Sequence, residues 1–478
     1  MRRTSCLWLW CVFLWLCLLG WSCADERRPA STTTRDARVL DAVADAARDA
    51  AQPMDAGDED GGFEDASVPD VGVPVISACR APEGTLPDQQ VAHVGLGGSV
   101  TCAVYASGAV RCLGTNTEGQ LGDGLASHMS CPSQSDCSLT AVQVAEIRDG
   151  LDLEVGNTSC VRRPFGVSCW GLGSQGALGD GVASHDRCGS FDCSRVPVTV
   201  AGLGAVIQLE VSDYGHACAR LESGKVACWG ANADAQLGDG LMSHETCDWA
   251  GGYECSRAPV EVADLSDAVE LTVGGFHACA RRPNGHLVCW GHNVFGQLGD
   301  GSTADQYRPV EVLGISDAVE VEAGYCHTCA KRANGEVLCW GWDTYGQVGA
   351  AASDSCGGYA CALSPQVVRG LADVVDLSSR HTHTCALHST GRVSCWGNNQ
   401  YGELGDGLTS HEACANGDCS RAPVEVAGLN DVAEIEAGGF STCAVRSNCE
   451  VWCWGNNPGH LGDGTTTSHG LPARATAF

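Results

Sequence analysis

The sequence predicts an all-β fold, a seven-bladed β-propeller of four-stranded antiparallel blades. Three observations predict it. A Cys-Trp-Gly marker returns seven times along the 478 residues, at Cys112-Leu113-Gly114, Cys169-Trp170-Gly171, Cys228-Trp229-Gly230, Cys289-Trp290-Gly291, Cys339-Trp340-Gly341, Cys395-Trp396-Gly397 and Cys453-Trp454-Gly455. Only the first has lost its Trp. Within each unit, short runs alternate polar and apolar residues as half-buried strands do, and the runs are joined by turns rich in Gly, of which the chain has 62. No unit carries a stretch of about ten residues at helical period, which disfavours a helical solenoid.

The chain begins with Arg2 and Arg3 before an apolar run from Leu7 to Leu19 and the small residue Ser22, the pattern of a signal peptide over residues 1–22. The run is short for a membrane span. Leu18-Leu19-Gly20-Trp21-Ser22-Cys23 resembles a bacterial lipobox, which implies lipidation of Cys23, although Gly20 and Trp21 depart from that pattern. Residues 23–78 are rich in Ala, Asp, Pro and Gly and include Asp55-Ala56-Gly57-Asp58-Glu59-Asp60-Gly61-Gly62. They read as an acidic disordered tether, because they bury too little apolar surface to offset their ordering entropy. Val39, Leu40, Val43, Ala44 and Ala47 stand at helical spacing within it, enough for a short helix. The seven repeats occupy residues 79–478. A total of 31 cysteines does not suit a reducing cytosol. The expected address is therefore exported, at the outer surface or in the periplasm as a lipoprotein, otherwise secreted. The net charge of -30, with no basic cluster, excludes nucleic acid as a partner and leaves membrane contact to the lipid anchor alone. The chain is expected to be a monomer.

A typical unit reads as four strands. Arg308-Pro309-Val310-Glu311-Val312 and Ala318-Val319-Glu320-Val321-Glu322-Ala323 alternate, and His327 to Trp340 form a hairpin around Ala333-Asn334-Gly335. The last residues, Pro472 to Phe478, match the strand that opens the other units, whereas the first unit enters directly at Val91-Ala92-His93-Val94. The C-terminal strand is therefore expected to close the ring by pairing with the first unit, so that both chain ends share one blade and no sheet edge stays open. With Gly274-Gly275-Phe276-His277, Asn284-Gly285, Trp290-Gly291 and Gly296-Gln297-Leu298-Gly299, the chain resembles the regulator of chromosome condensation repeat family from about Val91 to Phe478. The resemblance implies a seven-bladed propeller. Kelch repeats, the nearest alternative, need a Tyr and Trp spacing after the double glycine that is not found.

In six units the hairpin cysteines lie ten residues apart. If Pro283-Asn284-Gly285 is a three-residue loop with Gly in the left-handed region, Arg282 faces His286, Ala280 faces Val288, and Cys279 faces Cys289 within disulfide range. The same reading pairs Cys102 with Cys112, Cys160 with Cys169, Cys218 with Cys228, Cys329 with Cys339, Cys385 with Cys395 and Cys443 with Cys453. Family members carry an apolar and a small residue at these positions, so coupled replacement by cysteine favours a bond over buried thiols. A second series lies in insertions after the Leu-Gly-Asp-Gly turns: Cys131 and Cys137, Cys188 and Cys193, Cys247 and Cys255, Cys356 and Cys361, Cys414 and Cys419. His128, His185, His244 and His411 precede the first cysteine of four of them. One His and two Cys suggest zinc, but varying intervals, no evident fourth ligand and the lack of His beside Ser353-Asp354 favour small-loop disulfides. Cys449, at the hairpin tip of the last repeat, lies near the seam where a segment carrying Cys79 would arrive, which suggests that pair. Cys326 receives no assignment.

His216, His277, His327 and His383 resemble the family's histidine before the third strand and read as structural. The Asp-Gly pairs are ordinary turn chemistry rather than calcium loops. No nucleophile elbow, phosphate loop or paired-carboxylate site stands out from the repeat background. The chain is accordingly read as no enzyme, without cofactor or metal. Five insertions at equivalent positions project from one face of the ring, and their Phe191, Trp249, Tyr253 and Tyr359 offer aromatic anchors. The expected function is a protein-binding or scaffold module for an extracellular or periplasmic protein. The resemblance implies two alternatives, inhibition of a secreted enzyme and, as in nuclear members, guanine-nucleotide exchange. An exported address and the absence of a basic tail weigh against the second.

Overall fold

The computed structural model describes residue 79 and residues 85–478, except 132–133, 243, 248–252, 353, 409 and 415–416. The signal peptide, Cys23, the tether with its helix, and Trp249 lie outside the described residues.

Seven antiparallel sheets follow one another along the chain, making the seven blades of a propeller. The fourth, four-stranded like the seventh, has Glu270–Val273, His277–Arg281, Leu287–Gly291 and Gln306–Glu311 bonded in that order from the inside outward. Its central hairpin follows from its turn. Gly285 takes φ 79°, open to Gly at little cost, and the Arg282 amide donates to the His286 carbonyl at 2.9 Å. The register then sets Ala280 against Val288 and Cys279 against Cys289. The first, second, third, fifth and sixth blades gain a short fifth strand, because the insertion folds back on an extended outer strand. In the fifth blade Asp354–Cys356 pairs with Tyr359–Val367 in this way.

The blade boundary falls one strand away from the expected place. Each Pro-Val strand pairs with the third strand of the unit before it, as Gln306–Glu311 does with Leu287–Gly291. The C-terminal strand His469–Arg474 likewise pairs with Val451–Gly455 and completes the seventh blade. The first blade takes its outer strand from Gln134–Gln143, so every blade is contiguous in sequence and the two ends meet between blades instead of within one. The reason is the meander itself: an antiparallel chain returning from the third strand lies beside it before it crosses to the next blade. At the seam, Thr101 Oγ1 donates to the His460 carbonyl at 2.7 Å. Val91, Val94 and Leu96 pack there with Val445, Leu461 and Ala475, and the Cys79 and Cys449 sulfurs stand at bonding distance.

The marker Trp residues hold neighbouring blades together. All six are fully buried. Each indole N–H donates to a carbonyl in the Gly-Asp turn region of the preceding blade, as Trp290 does to Gln236 at 3.0 Å and Trp340 to Gln297 at 2.9 Å. The turn glycine lies against the indole: at Gly238, with φ 65°, an added Cβ would stand 2.5 Å from Trp290 Cδ1. Where the first blade has Leu113, the corresponding Gly462 faces Phe478, 3.2 Å from the place of its Cβ. Ala475 and Phe478, instead of an indole, thus lie against that turn glycine. Buried histidines add a second set of ties. Nε2 of His277, His327 and His383 lies 2.8, 2.9 and 2.9 Å from Oγ1 of Thr328, Thr384 and Thr442 in the following blades. Burial pushes the pKa of His327 and His383 down to about 3, so these bridges are made by neutral rings.

Candidate functional site

In a four-stranded antiparallel blade, the loop between the first two strands and the loop between the last two leave from the same edge. That face of the ring therefore gathers the insertions, a row of aromatic loops and one mouth of the central channel.

Cysteines give the insertions their shape. The two sulfurs of Cys131 and Cys137, Cys188 and Cys193, Cys247 and Cys255, Cys356 and Cys361, and Cys414 and Cys419 stand at bonding distance, with Cα separations of 5.8–6.1 Å. The blade-hairpin pairs Cys102–Cys112, Cys160–Cys169, Cys218–Cys228, Cys279–Cys289, Cys329–Cys339, Cys385–Cys395 and Cys443–Cys453 are likewise opposed, at 4.0–4.1 Å between Cα atoms. The histidines of the insertions face carboxylates, not sulfurs. His185 sits between Asp180, 2.8 Å from Nε2, and Asp192, 3.0 Å from Nδ1. His411 repeats this with Asp406 at 2.7 Å and Asp418 at 3.0 Å. His128 and His244 hold Asp123 and Asp239 at 2.8 and 2.6 Å. Each histidine clamps its insertion to the Asp of the turn that launches it. Burial lowers the pKa of His185 and His411, but hydrogen bonds and charge from the two carboxylates outweigh it, and both are raised.

Of the predicted aromatic anchors, Phe191 and Tyr253 are half-buried at the start of their strands. Tyr359 is 51 % exposed and its ring centroid lies 6.1 Å from that of Phe295. Tyr359 thereby joins an arc the sequence reading did not single out. Tyr214, Phe276, Tyr325, His381 and Phe440, one from each of the third to seventh blades, form its inner row. Their centroids lie 4.8 Å apart for Tyr214 and Phe276, 5.4 Å for Phe276 and Tyr325 and 5.0 Å for Tyr214 and Tyr325, so that these three pack on one another, and the row continues at 5.1 Å from Tyr325 to His381 and 4.3 Å from His381 to Phe440. All five are half-buried. Phe295, Trp342 and Tyr401 back them from the outer loops. The first two blades carry Gly98 and Gly156 in the same loops and add no ring to the arc. His381 has φ 44°, a costly conformation for a non-Gly residue. The signal for the arc was an aromatic or His one or two residues ahead of each structural histidine.

The innermost strands turn alternate side chains toward the channel. Asp152 and Glu154, Gln208 and Glu210, Glu320 and Glu322, and Glu434 and Glu436 are such pairs, joined by Glu270 and Asp376. Some of them cap the neighbouring blade's open strand edge: Glu270 accepts from the Val321 amide at 3.0 Å and Gln208 from the Leu271 amide at 3.0 Å. The rest form a crowded acidic wall. Burial, with neighbouring carboxylates, pushes the pKa of Glu154, Asp376 and Glu436 up to about 8. His93, Asp152 and Glu154 each offer a ligand atom within 4.8 Å of the others, a trio able to hold a metal ion. His93 is already engaged, with Glu434 2.9 Å from Nδ1 and the Leu153 carbonyl 3.2 Å from Nε2. Arg380 reaches from the sixth blade across the mouth. Its Nη2 donates to the carbonyls of Val155 at 2.7 Å and Val211 at 3.1 Å, and its Nε to Asp213 at 3.1 Å. These carboxylates were passed over in the sequence because a charged residue every second position reads as a solvated strand face.

Two family profiles described as the regulator of chromosome condensation (RCC1) repeat match residues 268–297, 318–347, 374–403 and 432–459, and residues 284–330, 334–387 and 390–445. The Ultraviolet-B receptor UVR8 of Arabidopsis thaliana is 27% identical over 398 residues, covering 82% of this chain and 83% of that protein. The E3 ubiquitin-protein ligase HERC2 of Homo sapiens is 28% identical over 388 residues, which cover 79% of this chain but span only 7% of HERC2. Among solved structures, yeast RCC1 (Prp20) bound to Kap60 superposes with a TM-score of 0.62 at 18% identity, covering 87% of this chain and 91% of that one. Human WBSCR16 gives 0.60 at 20%, covering 77% and 94%.

Proposed function

The chain is a seven-bladed propeller of the regulator of chromosome condensation (RCC1) repeat family, and we propose that it is an exported, surface-anchored module that binds a protein through its loop face. The observation that carries this reading is the convergence on one face of five inserted hairpins, each clamped or cross-linked, with a continuous aromatic arc. Half-buried aromatic rings on a rigid frame are what protein interfaces use as anchors. Rigid hairpins lose little entropy when they bind. A fold relative, yeast RCC1 (Prp20), is seen bound to the protein Kap60, which supports a ring that serves as a scaffold for protein contacts.

The exported address rests on the N-terminal signal pattern, the lipobox-like Cys23 and the opposed cysteine pairs, which gain most where thiols are oxidised. Among the described residues no helix is long and apolar enough to cross a membrane. HERC2 is named a ligase, but this chain spans only 7% of it, and no ligase activity is proposed. The test compares proteins cross-linked at the cell surface by the intact chain and by a chain with the five insertions shortened to the length of the fourth blade's loop. Loss of a saturable, reproducible partner is expected. An identical set of partners refutes the reading.

A further inference from the structure

The loop face has a chemistry of its own beneath the hairpins. The inner aromatic row runs over five blades with neighbouring centroids 4.3–5.4 Å apart, at the rim of the channel mouth. The cavity at that mouth is lined by Asp213, Tyr214, Tyr325, Arg380 and His381, together with Val211 and Ala323. Burial, with neighbouring carboxylates, raises the pKa of Glu210 and Glu322, one residue further down the same inner strands, which leaves Asp213 as the carboxylate at the mouth itself. A guanidinium is already seated on this floor: Arg380, on two carbonyls and Asp213. Burial, and the charge of Arg380, hold the pKa of His381 down to about 4, so that its ring is neutral and adds no positive charge to the rim. Faces of aromatic rings attract cations, and a net charge of -30 steers positively charged partners toward the molecule.

We propose that the aromatic arc at the channel mouth is a docking surface for an arginine-rich extended segment of a protein partner, whose guanidinium groups stack on Tyr214, Phe276, Tyr325 and Phe440 beside Asp213. This rests on the protein-binding reading above and adds the chemistry of the partner. The triangle of Tyr214, Phe276 and Tyr325 with its continuation through His381 to Phe440 is too broad for one small cation and too open for a closed ligand cavity, whereas a segment lying across it sets several side chains on the rings. Arginine suits it better than lysine, because a planar guanidinium stacks on a ring and still donates at its edge.

The test uses the full chain and a labelled arginine–glycine peptide as probe. Saturable binding is expected, lost on raising salt to about 1 M, where the Debye length falls to roughly 3 Å. Binding is expected to be weakened roughly tenfold or more when Tyr325→Leu and Phe440→Leu are combined, since both keep an apolar side chain and remove the ring. A peptide with citrulline in place of arginine, equal in shape and uncharged, should not bind; that arm needs no variant and so is independent of any effect on folding. Equal affinity for both peptides, equal affinity of the double variant, or no binding by the intact chain overturns the proposal. So does capture by phosphatidylcholine vesicles in place of the peptide, which would assign the arc to a quaternary ammonium headgroup. The chain with shortened insertions separates the two readings. If it keeps the peptide and also keeps its cell-surface partners, the hairpin reading fails while this one stands; if the intact chain captures partners but ignores the peptide, the reverse holds.

Discussion

Replacing individual marker tryptophans by phenylalanine tests whether the indole N–H, and not only its bulk, ties the blades together. Every such change removes part of a fully buried side chain, a loss of about 1–2 kcal/mol by the usual cost of a small cavity. What differs is the carbonyl left behind. The Gln297 carbonyl accepts from Trp340 at 2.9 Å and also from Thr328 Oγ1 at 2.8 Å. The Glu403 carbonyl accepts from Trp454 at 2.8 Å and from Thr442 Oγ1 at 3.1 Å. Both keep a donor after the substitution. The Gln347 carbonyl accepts from Trp396 at 3.1 Å, and among the described residues no threonine donates to it; the equivalent Thr384 Oγ1 has Ser379 Oγ at 3.0 Å instead. A buried acceptor deprived of its donor costs about 1–3 kcal/mol. Trp396→Phe should therefore destabilise by about 2–5 kcal/mol, and Trp340→Phe and Trp454→Phe by about 1–2 kcal/mol. Urea denaturation of the oxidised protein, with midpoints compared at unchanged slope, measures the difference. Three equal shifts, within roughly 0.5 kcal/mol, would show that the indole acts by volume alone.

Other consequences concern turns, the channel and the seam. Gly238→Ala meets both a positive φ of 65° and an atom of Trp290 2.5 Å from the new Cβ, whereas Gly202→Ala has φ 68° and nothing within 4 Å. The second should cost about 1–2 kcal/mol of backbone strain and the first clearly more, read as the difference in melting temperature. Glu154, Asp376 and Glu436, with pKa values near 8 in the fold, lie above their unfolded values. Their stabilising contribution is complete below the unfolded pKa of about 4 and is lost as pH rises from there through about 8, so the melting temperature should fall between about pH 5 and 8 and level off above. Glu436→Gln should flatten that fall, and a level profile in the native protein contradicts the wall as described. Cys79→Ser frees a link across 370 residues at the seam, and a loss of about 3–5 kcal/mol is expected in chemical denaturation under oxidising conditions. No change on this substitution would mean that packing around Leu96 and Leu461 alone closes the ring.

How far the sequence carried depended on whether a feature lives in one stretch or in several. The hairpin around Gly285 was legible, because a turn type fixes a register and the register sets Cys279 opposite Cys289. That Trp290 would pack between blades was legible too, since a large apolar residue on a strand of alternating small ones needs a deep seat. Its partner, the Gln236 carbonyl one blade earlier, was not. The blade boundary was misread for a related reason: alternation marks Gln306–Glu311 as a strand but does not say on which side its neighbour lies, and a tandem repeat can be cut at any phase. Varying intervals spoke against a zinc site for the histidines of the insertions but named no partner for them: His185 turns back to Asp180, five residues before it, because two carboxylates satisfy both ring nitrogens. The arc and the acidic wall were invisible for the deepest reason. Each blade contributes one ring or one pair of carboxylates, ordinary where it stands, and only closure of the circle sets Tyr325 beside His381 and Glu154 near Arg380. In a propeller the repeat encodes the frame, and recognition arises where non-identical residues of successive repeats are brought to a common rim. The positions to search are then those where the repeat varies beside its most constant residue, as Tyr214, Phe276, Tyr325, His381 and Phe440 vary beside the buried histidines and Ser441.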